Sequence, residues 1–329
     1  MNQIASSNAI IYYAQRVDEA NPISAVCKVF PSNAVGKASF GRDVRFFKIL
    51  KSNIKSGESL EDLKRRVSIY IAWRLDFFED YMFNGENHCI SIYEQGKKNL
   101  ADHFRGRSVI NKMEIPIIFF DIIQSILFLH SNGVAHLDIK FENLVLFDTG
   151  DYRDHVKLVD NDCSVPIGER IIDPFHSELD SHPDLIQYFL ENKDKAEKDR
   201  AVLIAKEEYD AYSFAMCLLR AASNGLLLSD ELDGPKGSDE RLRKLMKGEH
   251  LPRLLASIED GPLKRVITHV LVDKYDLRKL LTSEFFMQGQ SVTAFTSRLM
   301  TGISDLSNQM VYIYKYQNKN TFKHVQTHI

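Results

Sequence analysis

Residues 115–130 are apolar, broken only by Pro116, Asp121, Gln124 and Ser125, and this pattern predicts a buried helix that ends at Ser131-Asn132-Gly133. Asp121 and Gln124 fall in mid-segment with no basic anchors at the flanks, which favours a core helix over a membrane span. Residues 144–147 and 155–159 then read as two short strands around the turn Asp148-Thr149-Gly150-Asp151, and the second runs into Asp160. Upstream, residues 24–30 are a β-rich run carrying a single lysine, Lys28, and residues 43–50 space their apolar positions as a helix does. Residues 75–80 and 89–94 predict an antiparallel strand pair. The charged stretch 191–200 reads as a solvated helical insert, and residues 310–316 as a strand-like aromatic run. That run either packs back on the fold or belongs to a partly ordered extension.

Composition narrows the class without deciding it. The chain has 329 residues, 44% of them hydrophobic, and a net charge of −3, enough for one large core or two lobes and without the bias of disordered, collagenous or nucleic-acid-binding chains. No nucleic acid and no membrane are expected as partners. The first eight residues are polar and lack the basic and apolar regions of a secretory signal, so the expected location is the cytoplasm or the nucleus. Cys27, Cys89, Cys163 and Cys217 form no Cys-x-x-Cys pair, which suits reduced thiols and argues against a zinc site.

The chemistry is concentrated in His136-Leu137-Asp138-Ile139-Lys140-Phe141-Glu142-Asn143. Given a hydroxyl and the γ-phosphate of ATP, Asp138 can accept or orient the hydroxyl proton. Lys140 can neutralise charge on the moving phosphoryl group, and Asn143 can hold Mg²⁺. This loop resembles the catalytic loop of the eukaryotic protein kinase superfamily, and other segments follow in the family's order over roughly residues 4–288. The resemblance implies an α+β, bilobal fold, with a small β-rich N-lobe carrying a C-helix and a larger, mainly helical C-lobe. The kinase domain would span 1–288, with the N-lobe over about 1–94, the hinge over about 94–97, the C-lobe over about 98–288 and an extension over 289–329.

By the same resemblance Lys28 would meet the α- and β-phosphates, with Asp43 of the C-helix as its partner, and Asp160 would be the second metal ligand beside Asn143. Tyr93 would be the gatekeeper. Glu94, Gln95 and Gly96 would form the hinge that meets adenine through backbone N–H and C=O groups, and Ile11, Val26 and Val145 would wall the adenine. Asp210 would anchor the catalytic-loop backbone, and Arg278 would pair with Asp184 at the end of the activation segment. Lys140, two places after Asp138, is the pattern of Ser/Thr kinases.

The chain also departs from that pattern. The phosphate loop should be glycine-rich, but residues 4–11 contain no glycine. A non-glycine residue forced to positive φ costs about 1–2 kcal/mol, roughly tenfold in ATP affinity per position. Asn8 tolerates left-handed angles, and Ser6 and Ser7 can donate hydroxyl hydrogen bonds to phosphate. The metal-binding Asp-Phe-Gly is replaced by Asp160-Asn161-Asp162. There Asn161 needs hydrogen-bond partners, and Asp162 either favours Mn²⁺ or a second metal, as in aminoglycoside-phosphotransferase-like kinases, or caps a turn. Leu137 replaces the arginine that gathers an activation-loop phosphate, so phosphorylation control loses its receptor. Asp43 is one methylene shorter than the family's glutamate.

These residues imply an ATP-dependent Ser/Thr protein kinase using Mg²⁺ or Mn²⁺ and acting on protein substrates. Two other readings stand beside it: a pseudokinase scaffold that binds nucleotide without catalysis, and a small-molecule kinase.

Overall fold

The computed structural model describes residues 3–5, 9–15, 24–54, 57–83, 85–105, 112–150, 153–173, 177–223, 235, 238–273 and 276–288. Ser6, Ser7 and Asn8 of the expected phosphate loop, and the aromatic run 310–316, lie outside the described residues.

The chain opens with β1 (Gln3–Ala5), β2 (Ile10–Gln15) and β3 (Ser24–Phe30), followed by α1 (Ala34–Ser52), α2 (Leu60–Val67), β4 (Arg74–Phe83) and β5 (Glu86–Glu94). These strands form a five-stranded antiparallel sheet in the order β1-β2-β3-β5-β4. Ile11 lies opposite Lys28, and Val26 opposite Tyr93. Because opposed residues share a face and side chains alternate along a strand, Ile11, Val26, Lys28 and Tyr93 all project from one face of the sheet. Helix α1 runs 19 residues, well beyond the 43–50 stretch legible from spacing, because Asn33 caps it by accepting the Gly36 N–H at 2.9 Å.

The second part comprises β6 (Lys98–Asn99), α3 (Leu100–Phe104), α4 (Glu114–Ser131), β7 (Val134–Ala135), β8 (Leu144–Phe147), β9 (His155–Leu158) and β10 (Val165–Pro166). It continues with α5 (Pro183–Asn192), α6 (Glu207–Ala222), α7 (Asp239–Met246), α8 (Leu251–Ala256), α9 (Pro262–Leu271) and α10 (Leu277–Leu280). Strands β6, β8 and β9 form a three-stranded sheet, and β7 pairs with β10. The architecture is therefore α+β and bilobal, a small sheet-based lobe carrying α1 and a larger, mainly helical lobe.

Helix α4 is long and apolar enough to cross a membrane by length and composition, yet here it is the central core helix. Ile118, Phe119, Ile122, Ile126 and Leu129 are buried in one cluster with Phe214, Leu218 and Leu219 of α6, each full burial contributing about 1.5–3 kcal/mol. Its carboxylate, Asp121, accepts from Arg153 Nη1 and Nη2 at 2.6 and 2.7 Å and from the Val156 N–H at 3.1 Å. A charge in mid-helix is tolerated because it bolts α4 to the start of β9.

Residues 191–200 are largely solvated, but they are not a helical insert. Helix α5 ends at Asn192, and only a single 3₁₀ turn, Glu197–Asp199, forms in the remainder of the stretch. The buried Asn192 amide donates to the Tyr188 carbonyl at 2.7 Å, and its oxygen accepts the Ala201 N–H at 2.8 Å, which turns the chain back on itself. Tertiary hydrogen bonding at one asparagine overrides the helix-compatible charge pattern.

Candidate active site

The loop between β7 and β8 is held from below. Asp210 of α6, fully buried, accepts the backbone N–H groups of His136 and Leu137 at 2.8 and 2.7 Å and bonds His130 Nε2 at 2.9 Å. His136 Nε2 lies 3.1 Å from the Val159 carbonyl, joining the loop to the chain just before Asp160. Leu137 at φ 67° and Asp160 at φ 64° are the two non-glycine residues with left-handed backbone among the described residues. Each such angle costs about 1–2 kcal/mol and persists only where neighbours over-determine it. Both positions belong to the site.

Asp138 is the centre of this network. Lys140 Nζ donates to its Oδ2 at 2.7 Å, and Asn143 Nδ2 donates to the same oxygen at 2.8 Å and to the Asp138 carbonyl at 2.9 Å. The 3₁₀ turn Phe141–Asn143 folds Asn143 back towards Asp138. The Ser177 hydroxyl donates to the other oxygen, Oδ1, and lies 3.4 Å from Lys140 Nζ. Burial opposes the charge on Lys140, but Asp138 outweighs it and raises the ammonium pKa.

Lys28 reaches the site from β3. Its Nζ contacts Asp160 Oδ1 and lies 3.3 Å from Asp162 Oδ2. Burial opposes its charge too, yet the carboxylates of Asp160, Asp162 and Asp43 together push its pKa well up. Burial likewise works against Asp160, but Lys28 more than offsets it and holds that carboxyl below its ordinary value. At Asp162 burial dominates, reinforced by the Asp160 charge, and the carboxyl is pushed up.

Of the residues expected to wall adenine, Ile11 and Val26 share one face of the five-stranded sheet and Val145 lies in β8. Ile11, Val26 and Val145 are half-buried. Gly96 approaches so closely that a Cβ there would stand 2.3 Å from Val145 Cγ1 and 3.1 Å from the Leu146 carbonyl, so the 94–97 segment rests directly on β8. The Lys97 N–H bonds the Leu146 carbonyl at 2.7 Å. The Glu94 N–H is bonded to the Trp73 carbonyl at 3.1 Å, so it does not face adenine as the sequence suggested. The Glu94 side chain accepts the Trp73 N–H at 2.7 Å and pairs with Lys157 at 2.9 Å.

The protein kinase domain family matches residues 63–171, a stretch that contains β4, β5, α4, the Asp138 loop and Asp160-Asn161-Asp162. Over this stretch the chain is similar to the eukaryotic protein kinase superfamily. NUAK family SNF1-like kinase 1 of Homo sapiens is 27% identical over 113 residues, 33% of this chain and 17% of that protein. The probable serine/threonine-protein kinase MARK-C of Dictyostelium discoideum is 28% identical over 140 residues, 39% of this chain and 18% of that protein. Serine/threonine-protein kinase PSK2 of Saccharomyces cerevisiae is 30% identical over 115 residues, 32% of this chain and 9% of that protein. The matched stretch thus spans less than a fifth of each of these relatives.

Three features of this chain depart from the sequence expectation. Asp43, expected as the partner of Lys28, is instead claimed by the Tyr93 hydroxyl at Oδ1 and by Ser91 Oγ at 2.7 Å and Arg74 Nη1 at 3.3 Å at Oδ2. Its side chain is too short to reach past these donors on β4 and β5. Arg278, expected to pair with Asp184, forms a bidentate pair with Glu207 at the start of α6, both bonds 3.0 Å. Asp184 lies at the N-terminus of α5 with the Tyr209 hydroxyl 3.4 Å from its Oδ2. Asn161, buried at 1% exposure, has no hydrogen-bond partner for either amide atom among the described residues, an unsatisfied burden of about 1–3 kcal/mol per group.

Sequence reasoning missed Ser177, whose hydroxyl lies on Asp138, and Arg74, which holds Asp43. A polar residue at the expected end of the activation segment was the signal available for Ser177. For Arg74, which is buried between the Phe47 and Phe77 rings at 4.5 Å from each centroid, nothing local pointed inward.

Proposed function

We propose that this kinase transfers the γ-phosphoryl group of ATP to Ser/Thr hydroxyls of protein substrates. The observation that carries the proposal is at Asp138, where one carboxylate oxygen already accepts a bond from a hydroxyl, that of Ser177, while Lys140 and Asn143 hold the other. A carboxylate that binds a hydroxyl beside a fixed ammonium is the arrangement needed to orient an acceptor and offset charge on a phosphoryl group. Lys28 is assigned to the α- and β-phosphates, and adenine to the space between Ile11, Val26 and Val145, with the Glu94 carbonyl and the Gln95 and Gly96 amides as its hinge contacts.

The residues present fit Mg²⁺. With the Asn143 amide nitrogen bonded to Asp138, its oxygen remains as a donor, and Asp160 supplies a carboxylate. Among the described residues no group of three or more His, Cys, Asp or Glu side chains forms a metal site by itself. One carboxylate and one amide oxygen, completed by phosphate oxygens, is a ligand set that Mg²⁺ accepts, and Mn²⁺ accepts it too. The ion would offset phosphate charge during transfer.

The test is transfer of labelled γ-phosphate from ATP to a mixed protein substrate, in Mg²⁺ and separately in Mn²⁺, with Asp138→Asn and Asp160→Asn alongside. Transfer by the wild type, reduced at least about a hundredfold by either substitution, is expected. Transfer that survives both substitutions would overturn the proposal. A second reading, a nucleotide-binding scaffold without catalysis, is favoured by the contact of Lys28 with the carboxylate of Asp160 and by the unsatisfied Asn161. Thermal stabilisation by ATP without any transfer would select it.

A further inference from the structure

The Lys28 side chain is buried, the residue being 5% exposed, and a buried ammonium needs an anion that stays with it. The position of α1 nominates Asp43, but Tyr93, Ser91 and Arg74 engage both its oxygens. Lys28 faces the two carboxylates that follow β9, and these are not equivalent. Asp160 is assigned to the metal, and one carboxylate serves poorly as both a Mg²⁺ ligand and the sole counter-charge of a buried ammonium. Asp162 is 4% exposed and, among the described residues, has no other cation within ion-pair distance. Its main chain is also tied to α1, because Arg42 Nε donates to the Asp162 carbonyl at 2.7 Å while Arg42 Nη1 reaches Asp173 Oδ2 at 2.6 Å.

We propose that Asp162 is the positioning partner of Lys28. It replaces the acid expected from the C-helix, keeps the Lys28 ammonium placed for the phosphates and frees Asp160 for the metal. The inference rests on the ATP-dependent reading above. Without the Asp162 charge, Lys28 has Asp160 alone and draws that carboxylate away from the cation. Helix α1 then controls Lys28 at one remove, through Arg42 and the main chain of residue 162.

Two measurements test this. The first is titration of the wild type, Asp162→Asn and Asp162→Glu with a fluorescent ATP analogue in Mg²⁺. The asparagine variant is expected to bind about tenfold more weakly, and the glutamate variant to recover to within about threefold of wild type. A side chain that only filled space would keep its affinity in the isosteric asparagine variant and lose it in the longer glutamate variant. The second is a pair of double-mutant cycles in nucleotide-free protein, followed by urea unfolding, combining Lys28→Met with Asp162→Asn and with Asp43→Asn. The coupling of Lys28 to Asp162 is expected to exceed that to Asp43 by about fivefold or more in the unfolding constant. Wild-type affinity in Asp162→Asn, or a larger coupling to Asp43, would overturn the pairing. A wild type that binds no ATP but retains the Lys28 to Asp162 coupling would overturn the proposed function and support the pairing.

Discussion

His250 stands at the start of α8, 7% exposed, with no hydrogen-bond partner at either ring nitrogen among the described residues. Burial pushes its pKa from 6.5 down to about 4. The unfolded chain therefore takes up this proton at a higher pH than the folded one does. Stability is complete above about pH 6.5, declines as pH falls, and is lower by about 3 kcal/mol once about pH 4 is reached. Urea midpoints at about pH 7.5 and about pH 5 should diverge in the wild type and lie closer together in His250→Phe. No feature of the sequence around His250 announces this. The loop chemistry, by contrast, was legible because Asp138, Lys140 and Asn143 sit within one short stretch whose side chains meet by local geometry. Ser177 meets Asp138 across 39 residues and Arg74 meets Asp43 across 31, so their roles exist only once the chain has folded.

Helix α6 supports the site from two points along its length. Asp210 in its first turn holds the backbone of His136 and Leu137, and Arg220 in its last turn holds Asp180 through two bonds of 2.9 and 2.7 Å, with its guanidinium 4.6 Å from the Phe141 ring centroid. Burial opposes charge on both partners. Asp180 more than offsets it at Arg220, whereas at Asp180 burial prevails and its carboxyl is pushed up. The turn 177–181, closed by the Ser177 N–H on Ser181 Oγ at 2.7 Å, carries Ser177 to Asp138, so the Arg220 pair sets that hydroxyl in place. Arg220→Met should destabilise the fold by about 3–5 kcal/mol in urea unfolding near pH 7, and adding Asp180→Leu should recover much of that loss. Regular elements were read from the sequence where periodicity was long and apolar, as in α4. They were misread where a single side chain decides the course of the chain, as Asn192 does at the end of α5.

The larger lobe is locked by packing where a kinase regulated by phosphate would have charge. Leu137 is buried with Ala135, Ile171, Leu185, Tyr188, Ala205 and Tyr209, so the 136–143 loop, the segment at Ile171, α5 and α6 share one apolar cluster. Nothing in that cluster calls for a phosphorylated residue. Phosphate transfer by purified protein should stay within about twofold after phosphatase treatment, and a phosphatase-sensitive activity would contradict it. Packing also fixes the order in which this protein must come together. The charge on Asp121 is answered by Arg153, 32 residues further along the chain. At about 5–20 residues per second, the ribosome finishes α4 about 1–4 s before it adds that arginine. Until the β8–β9 hairpin docks, this 18-residue apolar helix carries an unanswered carboxylate, so burying α4 and docking the hairpin are coupled steps of folding.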